Sequence, residues 1–311
     1  MNVLIAVLRF NAKCFTMKAS KINYHTITTN IIVWFGHKAF TDILVQTIYY
    51  LILNKLQSIL LYMAGIEVKV KNLKKSFGQR EILRGVSFTC KPSESVIILG
   101  ESGMGKSVMM KIIGMLMDAT SGSVKIGNQE IVGITERNME KTMKNIGFLF
   151  QYSGLFEHLS VWENIMFYQL YIEKQNKEDM KETALNMMLS LDIPETAMNL
   201  KPTEISGGMQ RRVAFARTIV KQPKLILLDE PTTGLDPVVC ENVNAMINKT
   251  KAHTKATMIT ITHDLNSALK TGDKIVVLQH GRIVWEGEPY DIFNCDVEYV
   301  QRYIKAANIA K

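Results

Sequence analysis

Cysteine is scarce in this 311-residue chain: Cys14, Cys90, Cys240 and Cys295 are the full set, and they stand far apart. With no Cys-x-x-Cys pair and no histidine cluster beside them, the pattern fits buried thiols in a reducing cytosol better than a disulfide framework or a zinc site. Acidic residues are nearly missing from residues 1–62, where six Lys and Arg face Asp42 alone. That stretch supplies +5 of the net charge of +8, so the remainder is close to balance and no nucleic-acid-binding face is implied. Long unbroken apolar runs are missing too. The best candidate, 43–62, contains Gln46, Thr47, Asn54, Lys55, Gln57 and Ser58. Lys55 near its centre would cost about 2.5–3.5 kcal/mol on insertion scales. The opening MNVLIAVLRF lacks a basic leader and is broken by Arg9, which argues against a secretory signal peptide.

Three readings of residues 1–62 stay open. On a helical wheel the six polar residues of 43–62 share one half-turn, opposite Val45, Ile48, Ile52, Leu56, Ile59 and Leu60, so an amphipathic surface helix is physically better than a membrane span. Favoured over both is a start at Met63, directly before a well-formed strand, which leaves 1–62 as an atypical extension that does not belong to the mature protein.

What is present suffices for a large core, since 47% of the residues are apolar. Ile66, Val68 and Val70 alternate with Glu67, Lys69 and Lys71, as in a half-buried strand. Phe77-Gly78 then turns the chain, and Ile82-Leu83 leads into Val86-Ser87-Phe88, so a small antiparallel sheet is expected. The runs Val96 to Leu99, Leu225 to Leu228, Met258 to Ile261 and Ile275 to Leu278 are apolar almost without a break, which marks strands covered on both faces and a parallel α/β core. Between Gln151 and Ser206 the signals turn helical. Ser160-Val161-Trp162-Glu163 is a capping box, and Met180, Ala184, Met187, Met188 and Leu191 recur at helical spacing, with the methionines read as core filler.

The most informative stretch is Gly100-Glu101-Ser102-Gly103-Met104-Gly105-Lys106-Ser107, which follows the run Val96 to Leu99 and precedes a helix-like segment. Its three glycines let successive backbone N–H groups and a helix N-terminus point at one polyphosphate. Lys106 would reach the β- and γ-phosphates and the Ser107 hydroxyl would ligate Mg2+. A second half of the site is read at Asp229-Glu230, where the run Leu225 to Leu228 ends at the carboxyl edge of the sheet. Such a pair can simply cap the next helix. Beside a phosphate cradle it reads as a Mg2+ carboxylate, Asp229, and a residue that orients the attacking water, Glu230.

These stretches, with Ile205-Ser206-Gly207-Gly208-Met209-Gln210, closely resemble the ABC-transporter ATPases. Gln151 sits where that family has its Q-loop glutamine, a candidate Mg2+ ligand and catalytic residue; Gly234-Leu235-Asp236 resembles the D-loop, and His263 after Thr260-Ile261-Thr262 the switch histidine. The resemblance implies an α/β P-loop NTPase fold of the ABC ATPase type, with a RecA-like parallel-sheet core, a small antiparallel β subdomain and a helical insertion. It places the ATPase domain at 63–290, the helical subdomain at about 153–215 and a tail at 291–311, of which 296–305 resembles the family's short tail that touches the neighbouring subunit. It also implies a head-to-tail pair of subunits enclosing two ATP molecules, with Ser206, Gly207, Gly208 and Asp236 of one copy completing the cradle of the other. Phe77 is the candidate for stacking on adenine; the alternative is an ordinary core phenylalanine. Val108 stands where many members have Thr or Ser, which removes one hydroxyl from the α-phosphate site, and Met209 replaces the usual Gln.

The pattern Gly-Gly-Met-x-Arg-Arg at 207–212 and Phe148-Leu149-Phe150-Gln151-Tyr152-Ser153-Gly154-Leu155-Phe156 resemble the Mla-type (Mkl-like) ATPases of bacterial phospholipid trafficking. By that resemblance the partners are an integral permease and a periplasm-facing lipid-binding protein. The subunit would then lie on the cytoplasmic face of the inner membrane, held through the permease. An ABC transporter of another small solute is the main alternative, because this subunit rarely touches cargo. A non-transport ABC protein is a weaker one, since neither a second cassette nor a basic insertion is visible. Leu155 and Phe156 either bury against the permease or pack within the insertion.

Overall fold

Residues 65–307 are described by the computed structural model, so the three readings of residues 1–62 lie outside the described residues. A hairpin of β1 (Val68–Phe77) and β2 (Arg80–Cys90) comes first, then β3 (Ser95–Leu99) and helix α1 (Lys106–Ile113). Strands β4 (Ser121–Ile126) and β5 (Gln129–Glu130) return to the hairpin and complete an antiparallel sheet of order β2-β1-β4-β5. Helix α2 (Glu136–Met143) leads to β6 (Ile146–Leu149). The helical insertion follows, with α3 (Val161–Ile165), a π-helical turn at Tyr168–Ile172, α4 (Lys177–Ser190) and α5 (Gly207–Ile219). The chain then alternates through β7 (Leu225–Asp229), α6 (Pro237–Thr254), β8 (Thr257–Thr262), α7 (Leu265–Thr271), β9 (Lys274–Gln279) and β10 (Arg282–Gly287), and helix α8 (Glu298–Ala306) follows. The second sheet has the order β10-β9-β3-β8-β7-β6 and is parallel except for the β9-β10 hairpin.

The apolar runs are continuous because each central strand feeds two cores. In β3, Val96 and Ile98 face the core shared with the antiparallel sheet and α1, while Ile97 and Leu99 face the core built with α7 and α8. In β7, Leu225 and Leu227 join the first of these, whereas Ile226 and Leu228 pack against the insertion around Trp162, Met188 and Phe215. No strand interrupts the chain between Gln151 and Ser206. The Glu163 carboxylate accepts hydrogen bonds from the Ser160 backbone N–H at 2.8 Å and hydroxyl at 2.7 Å, and so closes the start of α3.

Register places the functional loops side by side. Leu99 pairs with Thr262 and Val277, Asp229 with Ile261, and Leu149 with Leu228. The segments that begin at Gly100, Glu230, His263 and Phe150 therefore all leave the same carboxyl edge, where parallel sheets take their ligands.

Residues 292–300 pack against the same chain. Ile292, Cys295, Tyr299 and Val300 are buried against a core that includes Ile97, Leu99 and Leu265. Cys90 and Cys295 are buried free thiols and Cys240 is half-buried; Cys14 lies outside the described residues.

Candidate functional site

The cradle is built by backbone that only glycine adopts without strain. Gly105 begins α1 with φ 99°, and Gly103 has φ 80° with nothing within 4 Å of where a Cβ would stand, so the main chain there faces open space. Lys106 is 5% exposed, and its ammonium donates to the carbonyls of Gly100 at 2.7 Å and Glu101 at 3.0 Å, with Glu230 Oε1 at 3.6 Å. Burial pulls the Lys106 pKa below its ordinary value, against the opposing pull of Glu230, Asp229 and Glu101. A buried cation held by carbonyls and one acid can exchange those partners for phosphate oxygens.

Across from it, the Ser107 hydroxyl donates to Asp229 Oδ1 at 3.2 Å. Burial pushes the Asp229 pKa up; the Ser107 hydrogen bond offsets this in part, and the neighbouring Glu230 adds to it. A hydroxyl and an under-compensated carboxylate are the hard oxygen donors that suit Mg2+, which characteristically shares its shell with phosphate and water. Among the described residues no group of three or more His, Cys, Asp or Glu could hold a metal alone. A raised carboxyl pKa contributes stability below the unfolded pKa that is lost as pH rises through the folded pKa, so at neutral pH ionised Asp229 weakens the fold. Asp229→Asn is therefore expected to raise the melting temperature of the nucleotide-free protein at pH 7 while weakening the Mg2+ dependence of hydrolysis about 10–100-fold. Thermal denaturation and Mg2+ titration of ATPase activity measure the two halves.

Glu230 is the strained residue of the site. It has φ 51°, and its N–H donates to Ile261 O at 2.9 Å, which turns the carboxylate in towards Lys106 and His263. A non-glycine residue held so costs about 1–3 kcal/mol and persists where its surroundings over-determine it. Here Thr233 Oγ1 lies 2.6 Å and His263 Nδ1 2.8 Å from Glu230 Oε2. The two sequence stretches read separately as acid pair and histidine thus meet at Glu230, which is hydrogen-bonded to His263 and ion-paired with Lys106.

Other candidates stand outside that constellation within one chain. Ser206 caps α5, its hydroxyl accepting from Met209 N–H at 3.3 Å, and both Ser206 and Gly207 are exposed. Gly208 lies near Val239, and Asp236 caps α6 by accepting from Val239 N–H at 3.0 Å. Gln151 is half-buried, and Glu101 and Ser102 are exposed at the cradle's rim. Phe77 is 50% exposed at the end of β1, which removes the core-phenylalanine alternative; the Lys75 ammonium lies 5.0 Å from its ring centroid. Gln79 and Arg80, just beyond it, line a cleft of about 270 Å³ with Gly103 and Met104, so this hairpin adjoins the cradle. The Val108 side chain and Met104 pack on the core around α1, and Met209 packs on the insertion core.

Two arginines carry structure that sequence reasoning missed. Arg211 is buried and donates through Nη1 to the carbonyls of Phe150 at 3.2 Å and Gln151 at 2.6 Å. Arg217 donates to Ser153 O and Gly154 O, both at 2.9 Å, and its guanidinium lies 5.7 Å from the Phe156 ring centroid. Helix α5 therefore pins the Gln151 loop along its length; the sequence signalled Arg211 only as half of the Arg211-Arg212 pair read as a cargo marker, and it gave no signal for Arg217. Arg211→Ala leaves two carbonyls short of a charged donor and is expected to destabilise the fold by about 1–3 kcal/mol, read as a lower urea midpoint with an unchanged slope. Of the two fates open to Leu155 and Phe156, packing within the insertion is the one observed: Phe156 stacks on Phe167 with centroids 4.3 Å apart, and Leu155 packs on the insertion core. Tyr152, 82% exposed, is the most uncovered large side chain of this region, and Phe150, Tyr171, Ile172 and Leu189 are exposed as well.

The family described as ABC transporter matches residues 83–233. The arginine transport ATP-binding protein ArtM of Bacillus subtilis is 34% identical over 226 residues, covering 73% of this chain and 93% of that protein. The spermidine/putrescine import ATP-binding protein PotA of Clostridium novyi is 35% identical over 248 residues, covering 79% and 70%. Among solved structures, the ATP-binding cassette MJ0796, described as a dimer in a post-hydrolysis state bound to ADP and Pi, matches with TM-score 0.66 at 33% identity, covering 71% of this chain and 98% of that one. With motif order, sheet topology and most of the relatives' length in common, the chain belongs to the ABC transporter family and is an ATP-binding, ATP-hydrolysing subunit of it.

Proposed function

We propose that this protein energises the import of a small organic solute through a membrane permease by hydrolysing ATP between two copies of itself. The observation that carries the catalytic part is the junction of Lys106, Glu230 and His263, with Ser107 and Asp229 hydrogen-bonded beside it. Lys106 and the N–H groups of 103–107 bind the phosphates. Ser107 and Asp229, with Gln151 from the neighbouring strand end, hold Mg2+, which when bound neutralises charge on the transferring phosphoryl group. Glu230 orients and polarises the attacking water, and His263, braced on Glu230, keeps the γ-phosphate and that water in line. Phe77 offers its exposed face to adenine. Ser206, Gly207, Gly208 and Asp236 of a second copy close the site: in one chain they lie exposed or half-exposed at the N-terminal ends of α5 and α6, and a helix N-terminus with free N–H groups suits a γ-phosphate. Closure would bring the two copies together on ATP and hydrolysis would release them.

The cargo class is supported by the names of the relatives, an arginine transporter and a polyamine importer. Phospholipid remains a second reading, favoured by Met209, by the Arg211-Arg212 pair and by the stretch Phe148–Phe156, and none of those relatives is a lipid transporter by name. No helix among the described residues is long and apolar enough to cross a membrane, which accords with attachment through a permease at the cytoplasmic face. Exposed Tyr152, Tyr171 and Ile172 are the surface offered for that contact. The test is to purify the subunit with its permease and assay ATP-driven accumulation of labelled arginine and spermidine in vesicles. Uptake of either supports the solute reading; no uptake, with phospholipid bound to the assembly, overturns it in favour of lipid.

A further inference from the structure

Helix α8 reaches the ATP site from behind. Tyr299 and Tyr303 lie one turn apart on one face of it, with ring centroids separated by 6.2 Å. The Tyr299 hydroxyl accepts from the Glu101 N–H at 3.3 Å, and the Tyr303 hydroxyl donates to the backbone carbonyl of His263. The helix is a firm base for these contacts, because Tyr299 and Val300 are buried in the core that includes Leu99 and Leu265. His263 itself is poorly held by packing: its side chain is 48% exposed, and its ring is anchored through Nδ1 on Glu230. The adjoining Thr262-Asp264 bond and the Asp264 cap of α7 fix the chain after the histidine, not the histidine.

We propose that Tyr303 is a positioning residue for ATP hydrolysis, which holds the main chain of His263 so that the imidazole stays on Glu230. This deepens the proposed function and rests on the roles given there to Glu230 and His263. The phenol suits this role because burial, then Tyr299 and Glu230 beside it, push its pKa up, so it remains a donor throughout the range in which the enzyme works. Helix α8 thereby ties the phosphate loop at Glu101 to His263, both of which line one cleft with Tyr299 and Tyr303, and loosening that helix would slow hydrolysis without touching the nucleotide.

The test is single-turnover ATP hydrolysis by the full chain, which resolves rates well below those of steady-state assays. It compares the wild type with Tyr303→Phe, His263→Ala and the double variant, and takes Lys305→Ala, an exposed change on the same helix, as control. Tyr303→Phe is expected to lower the hydrolysis rate about tenfold, the kinetic equivalent of one hydrogen bond, with ATP affinity within about twofold of wild type. In the His263→Ala background the same change is expected to have no further effect, because the residue it acts through is gone. An unchanged rate in Tyr303→Phe, or an equal loss in both backgrounds, overturns the positioning role and leaves the proposed function standing. Full activity in Glu230→Gln would instead remove the proposed function on which it rests.

Discussion

Replacing Glu230 by Gln is expected to slow ATP turnover by about 10²–10⁴-fold while leaving ATP binding within a few-fold of wild type. The substitution preserves shape in a buried position, so the strained turn at φ 51° and the N–H bond to Ile261 should persist. What it removes is the charge that Lys106, Thr233 and His263 all face. The carboxamide oxygen can still accept from both Thr233 and His263, which meet a single carboxylate oxygen, but it cannot polarise a water as a carboxylate does. The cradle amides and Lys106 are left in place, so ATP still draws two copies together, and the closed pair should persist because the step that opens it is blocked. Single-turnover hydrolysis, calorimetric ATP titration and size-exclusion chromatography with ATP measure the three consequences. Normal turnover would mean that Glu230 does not prepare the water.

Lys106→Ala should fail at the opposite step. Its ammonium sits almost fully buried among the Gly100 and Glu101 carbonyls, with its pKa pulled down by burial and held up chiefly by Glu230. Such a cation is costly to keep in the fold, and what offsets that cost is a polyphosphate that replaces carbonyls with anionic oxygens. Losing charge-assisted hydrogen bonds worth about 1.5–3 kcal/mol predicts ATP affinity lower by about 10–150-fold, and hydrolysis lower with it. Alanine also leaves Glu230 buried without its cation, so the apo protein should not gain much stability. The two variants separate cleanly by calorimetry: one binds without turning over, the other scarcely binds.

Much of this site is legible in the sequence because its residues lie in short local patterns. Gly100 to Ser107 carries its own turn chemistry, and the strand before it reads as buried because β3 is covered on both faces and is apolar from Val96 to Leu99 without a break. The same physics exposed β7, β8 and β9. What stayed hidden depends on contacts between distant segments. Arg211 donates to a carbonyl 60 residues away, and Tyr303 reaches His263 across 40 residues, so no local pattern announces either bond. The positive φ of Glu230 is invisible as well, because a glutamate at a strand end is compatible with an ordinary turn or a helix cap. Phe156 reads equally well as exposed or packed until Phe167 is seen against it. The cargo is the least legible property, since the residues that hydrolyse ATP need not meet the solute that is moved.

Completion of the pocket by a second copy is the central claim, and disulfide trapping tests it most directly. Cysteines placed at Ser206 and Ser102, in a Glu230→Gln chain with Cys240→Ser, should form a crosslink of dimer mass when ATP and Mg2+ are added and little without them. If ATP produces no crosslinked dimer although the variant binds ATP, Ser206 does not approach another subunit's phosphate loop, and the shared site does not exist.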